Sequence, residues 1–373
     1  MSIDRKTSSR IEILRFPLIV GIVFIHNYDT TVSIGHGYIG ALQSSDYVDF
    51  VRAFISHGIA QAAVPLFFVI SGYLFFSGEW SWGSYASKLR RRVNTLLIPF
   101  LCWNIVTLAV YAVGECIPNM KMYFTGGTGW PPVKSFSLLN YMNALFGMAV
   151  KYPISIQFWF IRDLMALVVF APAIHFLLAR RLALPFIVVL FGFWFFWVWP
   201  VLWPNVLACF FFSLGAYLSR PGKSVAYLDR FGPWISVMCL GVLILHSVVQ
   251  STPVYLDSCV VVFGVPSLWW LTELAVRTAA VRSRLLRLSG ASFFVFAAHQ
   301  PLLMIIRKVL YKLLLPTTSA AILALYFLIP ICLIGLLVLT HGYMQKTMPA
   351  FVGFITGDSS RPKMYRTEVR WPR

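Results

Sequence analysis

One apolar segment near the start of the sequence carries residue types that can bind or move a proton. In RIEILRFPLIVGIVFIHNY, residues 10–28, Arg15 and His26 are eleven residues apart, which is about 20° past three full helical turns. They therefore share one helix face, about 16 Å apart along the axis. Glu12 and Asp29 are near the same stripe. Because charged groups are costly in lipid, we expect this stripe to face the bundle interior or a water-filled cavity.

The stripe has a catalytic interpretation and a structural one. Histidine is the usual general base because its ordinary pKa is close to neutrality, and Asp29 could orient the ring of His26. Alternatively, Glu12 and Arg15 form an i,i+3 pair, with Arg15 reaching toward the membrane interface. Independently, His26 near the outer end of the segment could be a hydrogen-bonded packing residue.

A second stretch, VPLFFVISGYLFF at residues 64–76, contains Ser71 and Gly72 within an aromatic and aliphatic run. Small residues allow helices to approach closely, so packing is the favoured interpretation. Ser71 is a weak candidate nucleophile, because no G-x-S-x-G sequence surrounds it.

A third stretch, KLRRRVNTLLIPFLCWN at residues 88–104, begins with Lys88, Arg90, Arg91 and Arg92. Such a cluster anchors the cytoplasmic end of a membrane helix. It can also bind anionic phosphates, for which guanidinium groups are well suited. Both interpretations stay open at this point.

Two later apolar stretches also contain polar pairs. In FWFIRDLMALVVFAPAI, residues 158–174, Arg162 and Asp163 are neighbours. Adjacent residues on a helix do not face each other, so each is predicted to find its partner on another helix. In SFFVFAAHQPLL, His299 and Gln300 need buried partners, and hydrogen bonding within the bundle and a direct role are equally compatible with them.

Composition identifies the elements that must position these residues. The chain is 59% hydrophobic and 12% charged, with a mean hydropathy of +0.76, whereas soluble domains are about 25% charged. We therefore predict an all-α polytopic membrane protein, because only helices and closed barrels span lipid and no alternating strand pattern is present. Ten spans are predicted, at roughly 11–28, 51–76, 93–114, 154–178, 183–199, 201–218, 233–250, 254–280, 290–311 and 319–344.

The basic residues predict how this bundle is oriented. With both termini in the cytoplasm, 23 of the 31 Lys and Arg residues lie in inner segments. This distribution accounts for the net charge of +18 without nucleic acid. The six cysteines form no CxxC pair, so no metal site is predicted.

The chain divides into a transmembrane domain, 1–349, and a short polar cytoplasmic tail, 350–373. The N-terminal apolar segment lacks a small-residue cleavage site and is interpreted as a retained anchor. The longest outer segment, about 115–153, is rich in Gly, Pro and aromatic residues. It could cover a site or simply connect two helices.

Taken together, these stretches resemble the acyltransferase 3 family of integral membrane acyltransferases. The resemblance covers most of the chain, with five motifs in the family's order. They are Arg15-x10-His26, VPLFF-ISGYL at 64–74, the basic run leading into L-IP-L-WN at 88–104, WF-RDL at 159–164 and S-----H-PL at 292–302.

The resemblance implies transfer of an acyl group, usually acetyl, from cytoplasmic acyl-CoA to a hydroxyl of an extracytoplasmic or lipid-linked glycan. It implies that His26 is catalytic, that Arg15 is its basic partner, and that residues 88–92 take the role of an arginine pair near CoA. Many members have R-x-x-R there, whereas this chain has Lys88-x-x-Arg91.

The same resemblance sets the expected partners and location. Acyl-CoA is a co-substrate and no cofactor is permanently bound. The other expected partners are the glycan and membrane lipids, and a homo-oligomer is compatible with the resemblance. The expected location is a bacterial inner membrane. The alternative function is a proton-coupled transporter, which would also keep Arg, His and Asp within its helices.

Overall fold

The protein is built almost entirely from helices. A computed structural model describes residues 4–34, 37–41, 45–118, 120–124, 130–179, 181–223, 225, 227–249 and 253–358. The α-helices are α1 Arg5–Ile25, α2 Asp46–Arg52, α3 Ala63–Phe76, α4 Trp82–Arg92, α5 Ile98–Cys116, α6 Lys121–Phe124, α7 Leu138–Phe146, α8 Trp159–Val169, α9 Ala171–Ala179, α10 Ala183–Phe195, α11 Val206–Leu218, α12 Gly232–Val248, α13 Val254–Arg277, α14 Ala279–Ser289, α15 Ser292–Leu314, α16 Ser319–Thr347 and α17 Pro349–Thr356.

The predicted spans coincide with helices, but not all of these helices are long enough to cross a membrane. Six are sufficiently long and apolar, and a seventh is obtained if α8 and its preceding turn are joined to α9 across their 59° bend. Two predicted spans correspond to the 13-residue helices α10 and α11. Straight helices of that length are shorter than the roughly 20 residues that a crossing needs. Ten crossings and cytoplasmic termini therefore stay predictions.

Helix α1 is paired with the helical segment that follows it. A π-helix and a 3-10 turn join α2 to α3, so that Asp46–Phe76 forms one long segment. Near its start, Ser56 Oγ donates to the carbonyl oxygen of Phe24 at 2.8 Å, close to the end of α1. Gly21 lies against Ala60. The two segments therefore run antiparallel, and the end of α3 lies beside the start of α1.

Helices α3 and α11 approach each other through two glycines. A Cβ on Gly72 would meet the carbonyl oxygen of Phe212, and a Cβ on Gly215 would meet that of Val69. Side chains at either position would force the helix backbones apart. The packing interpretation is thus confirmed for Gly72. The neighbouring Ser71 is half-buried and makes no hydrogen bond with the described residues.

A small sheet departs from the all-helical prediction. Strands β1 Thr31–Ile34 and β2 Gly37–Gly40 pair antiparallel between α1 and α2. Gly40 has φ +122°, a conformation that other residues rarely adopt. Four-residue strands are too short to give a recognisable alternating pattern, which is why the sequence did not indicate them.

The described part of the segment between α5 and α8 packs on itself and on α15. The carboxylate of Glu115 accepts a 2.8 Å hydrogen bond from the backbone N–H of Val133. A separate hydrophobic cluster includes Tyr111, Phe124 and Val133. Lys308 of α15 donates to the carbonyl oxygen of Tyr123 at 2.6 Å. These contacts hold the described part of the segment against the bundle. Residues 119 and 125–129 lie outside the described residues.

The described chain stays folded beyond residue 349. Helix α17 buries Val352 and Ile355. Trp103 of α5 donates its indole N–H to the carbonyl oxygen of Ile355 at 2.9 Å. The first part of the predicted polar tail is therefore an ordered helix, and residues 359–373 lie outside the described residues.

Candidate functional site

His26 lies at the C-terminal end of α1 and lines a cavity of about 290 Å³. Trp159 and Trp197 contribute aromatic surface to the same cavity. Hydrogen-bonding groups combined with aromatic faces suit a ligand rich in hydroxyls. The other polar or charged side chains of the wall are Gln61, Lys151, Tyr152, Gln157, Arg162, Asp163 and Asn205.

A second histidine lies directly beside His26. The ring centroids of His26 and His299 are 5.3 Å apart, and His299 is fully buried. Nδ1 of His299 is 2.7 Å from the carbonyl oxygen of Phe296. A carbonyl can only accept, so Nδ1 of the neutral ring carries the proton and Nε2 holds a lone pair. That Nε2 has no hydrogen-bond partner in the described part of the chain, so its lone pair remains available to a hydrogen-bond donor.

The backbone of α15 leaves helical geometry immediately after His299. Gln300 has φ −105° and ψ 137° within an otherwise helical run. Its side chain is half-buried and forms no hydrogen bond with described residues. The break places His299 at the end of the first half of α15, and the second half continues toward the loop that follows His26.

Arg307, in the second half of α15, contacts the backbone around His26. Its Nη1 donates to the carbonyl oxygen of His26 at 3.3 Å, and its Nη2 donates to those of Asp29 at 3.0 Å and Thr31 at 3.1 Å. In the sequence, this residue is a charge near the end of the predicted span 290–311, with no local pattern that links it to His26. The available signal was a basic pair, Arg307 and Lys308, within an apolar helix.

Asp29 does not orient the His26 ring as predicted. Its carboxylate lies 3.7 Å from Arg307, and its side chain is 73% exposed. No hydrogen bond joins it to the His26 ring in the described chain. The helix ends at Ile25, so the three-residue step from His26 to Asp29 does not follow helical geometry, and the two side chains diverge.

Arg162 and Asp163 pair with each other, contrary to the prediction of separate partners. Arg162 Nε and Nη2 each lie 3.0 Å from Asp163 Oδ1. Arg162 also donates to the carbonyl oxygen of Gly147, and Asp163 accepts from the backbone N–H of Asn205. The helix rule failed because the long arginine side chain curls back over its own backbone. Together the pair ties three segments of the cavity wall.

Glu12 and Arg15 are both exposed and do not pair with each other. Neither makes an ion pair or hydrogen bond with a described residue. The prediction that these two residues face the bundle interior is therefore wrong. The alternative, that they face a water-filled cavity, stays a prediction. The buried basic residue of α1 is instead Arg10, whose side chain is 1% exposed and forms ion pairs with Asp229 and Glu273. Nothing in its spacing distinguished it from a membrane anchor.

The basic cluster lies at the opposite end of α1 from His26. Lys88 donates to the carbonyl oxygens of Phe75 at 2.6 Å and Ser77 at 3.4 Å, so it caps α3. Arg90 and Arg91 are exposed, and Arg92 is half-buried. Among the described residues, none of these three arginines has an ion-pair or hydrogen-bond partner. They are free to hold an anion, whereas Lys88 is occupied by the backbone.

The comparison with protein families covers nearly the whole chain. The acyltransferase domain model, of the acyltransferase 3 type, matches residues 8–341. The chain belongs to the acyltransferase 3 family. It is thus an integral membrane acyltransferase, and the matched range includes every site residue described above. No solved structure matches this acyltransferase.

One curated relative of this acyltransferase extends the comparison. The chain is 28% identical over 385 residues to the succinoglycan biosynthesis protein ExoH of Rhizobium meliloti (strain 1021). The alignment covers 98% of this chain and 96% of the relative.

No group of three His, Cys, Asp or Glu side chains within the described residues is arranged to hold a metal ion.

Proposed function

We propose that this acyltransferase moves an acyl group, typically acetyl, from acyl-CoA to a hydroxyl of a polysaccharide or lipid-linked glycan. The observation that carries the proposal is the arrangement of α1. Its C-terminal His26 lies beside His299 and lines a cavity whose wall carries several polar side chains, and the unpaired arginines of α4 lie at its other end.

The arginines of α4 support binding of the donor. CoA is a phosphate-rich anion, and Arg90, Arg91 and Arg92 offer guanidinium groups without partners among the described residues. From Arg15 to His26 the helix rises about 16 Å, which an extended pantetheine arm is of the right order to cover. The thioester would then reach His26, with exposed Arg15 along its route.

In the proposed reaction, His26 acts as general base. It removes the proton of the acceptor hydroxyl as that oxygen attacks the thioester carbonyl carbon. A C–O bond forms, the C–S bond breaks, and the proton held by His26 passes to the departing CoA thiolate. Such proton transfer typically contributes 10²–10⁴-fold to the rate. His299, whose ring centroid lies 5.3 Å from that of His26, packs next to this base.

The developing oxyanion needs hydrogen-bond donors. Arg15, Ser71 and Gln300 are the candidates. Each is at least partly accessible and has no hydrogen-bond partner among the residues described. Gln300 follows His299, whose ring lies beside His26, whereas Arg15 lies about 16 Å from His26 along α1, so Gln300 is the candidate nearest to the reacting thioester.

Two observations support a glycan as acceptor. The cavity beside His26 combines tryptophan faces with polar groups, a combination that suits sugars. The relative ExoH is a succinoglycan biosynthesis protein, and succinoglycan is a polysaccharide. The proposal assigns the donor to the predicted cytoplasmic side and the acceptor to the opposite side.

The test is transfer of label from radiolabelled acetyl-CoA, and from longer acyl-CoAs, to candidate glycans by the purified protein. His26→Ala should lower the transfer rate about 10²–10⁴-fold, because the general base is lost. His341→Ala is the matched control, since His341 is a half-buried histidine of α16 and should retain transfer. Solute uptake without transfer by the wild type would indicate the transporter alternative. Full transfer by His26→Ala would exclude the general-base role while leaving the acyltransferase activity intact.

A further inference from the structure

Arg307 occupies an unusual position for a basic side chain in an apolar helix. It is buried in α15, at 8% exposure, within a helix long and apolar enough to cross a membrane. A buried guanidinium is costly unless its donors are used. Here its Nη atoms donate to three backbone carbonyls, those of His26, Asp29 and Thr31.

The carbonyl of His26 belongs to the C-cap residue of α1, whereas those of Asp29 and Thr31 lie in the loop and strand that follow. The last carbonyls of a helix have no partner within the helix, and a cation there also complements the helix dipole. The end of α1 has no glycine cap, since Ile25 is followed by His26 in a right-handed helical conformation. The backbone N–H groups of His26 and Asn27 already donate to the carbonyl oxygens of Ile22 and Phe24, and Arg307 adds a bond to the carbonyl oxygen of His26 itself.

Helix α15 thus contacts His26 in two places. His299 precedes the break at Gln300 and lies beside the His26 ring, whereas Arg307 follows the break and holds the His26 carbonyl. An imidazole's position is fixed by its backbone and by its ring neighbours together. Both constraints on His26 come from one element, on either side of a break in that element.

We infer that Arg307 is a positioning residue that holds the imidazole of His26 in place for acyl transfer. The inference rests on the proposed role of His26. Arg307 acts through the backbone and contacts neither donor nor acceptor. Its loss should therefore lower kcat, because the base is misplaced, and leave the affinity for acyl-CoA unchanged.

The test compares Arg307→Lys and Arg307→Gln with Lys308→Gln. Lys308 is the matched control: it is a buried base on the same helix turn, bonded to the carbonyl oxygen of Tyr123 rather than to the end of α1. For Arg307→Gln, kcat should fall about 100-fold, the size expected of a misplacement near 1 Å. Arg307→Lys should recover part of this loss, because lysine keeps the charge but not the fork that reaches three carbonyls. The KM for acyl-CoA should stay within about twofold, and Lys308→Gln should keep the wild-type kcat.

A second measurement covers the case in which Arg307→Gln is inactive or unstable. Hydrogen–deuterium exchange of a peptide spanning 24–31 should be faster in Arg307→Lys than in Lys308→Gln. Unchanged kcat in folded Arg307→Gln, an equal loss in Lys308→Gln, or unchanged exchange in Arg307→Lys would each overturn the inference. Full transfer by His26→Ala would instead overturn the proposed function, so the two failures are distinguishable.

Discussion

At the scale of single residues, the buried charges of Arg162 and Asp163 are satisfied by each other and by backbone groups. Asp163 accepts both from Arg162 and from the backbone of Asn205. Arg162 reaches the carbonyl oxygen of Gly147 as well. Removing one member of a buried pair leaves the other without compensation. This pair should therefore matter for the stability of the cavity wall.

We expect Asp163→Asn to lower the free energy of unfolding by about 3–5 kcal/mol, because Arg162 is left as a buried, uncompensated charge. The measurement is the unfolding transition of the purified protein in detergent. Glu12→Gln is the control, since Glu12 is exposed and unpaired within the described residues and should change stability by less than about 0.5 kcal/mol. Equal effects of the two substitutions would contradict the structural role of the pair.

At the scale of elements, close contact between α3 and α11 depends on glycine at two positions. The carbonyl oxygens of Phe212 and Val69 occupy the space that a Cβ would need on Gly72 and Gly215. Backbone atoms cannot rotate away as a flexible side chain does. The contact is therefore intolerant of even one added methyl group.

Gly72→Ala and Gly215→Ala should each destabilise the protein, by about 1–3 kcal/mol, because the helices are overpacked. Gly192→Ala is the matched control: Gly192 lies within α10, and a Cβ there meets nothing within 4 Å. That substitution should stabilise by about 0.5–1 kcal/mol through helix propensity. Thermal unfolding of the three variants gives the comparison, and the same sign for all three would refute the packing argument.

At the scale of the whole molecule, α1 connects two chemically different ends. Its C-terminal end carries His26 and the cavity beside it, while its start lies beside the end of α3 and the arginines of α4. A donor held at one end and an acceptor at the other would meet within the bundle. Loss of the arginines should therefore affect the donor alone.

The triple substitution of Arg90, Arg91 and Arg92 by glutamine should raise the KM for acyl-CoA at least ~10-fold, because charge-assisted bonds to phosphate are lost. The KM for the glycan should not change. Arg181→Gln, an exposed arginine between α9 and α10, serves as control. Steady-state kinetics at two salt concentrations tests this, and an unchanged KM for acyl-CoA would identify the cluster as a membrane anchor only.

Sequence alone determined the class of protein, the order of its helices and the residues that match the family. These follow from local properties: apolar run length, charge bias and motif spacing. His26 is a candidate catalytic residue on this ground, because the eleven-residue spacing from Arg15 can be read directly from the sequence.

Only the tertiary structure decided which groups meet. Arg307 contacts His26 across 281 residues of sequence, and no local pattern encodes such a partner. Arg162 pairs with the adjacent Asp163 because its long side chain can fold back over the helix, which residue spacing does not predict. Asp29 does not lie on the same helix face as His26, because α1 ends at Ile25. Periodicity reports the face of a helix, but the packing of other elements decides what that face meets.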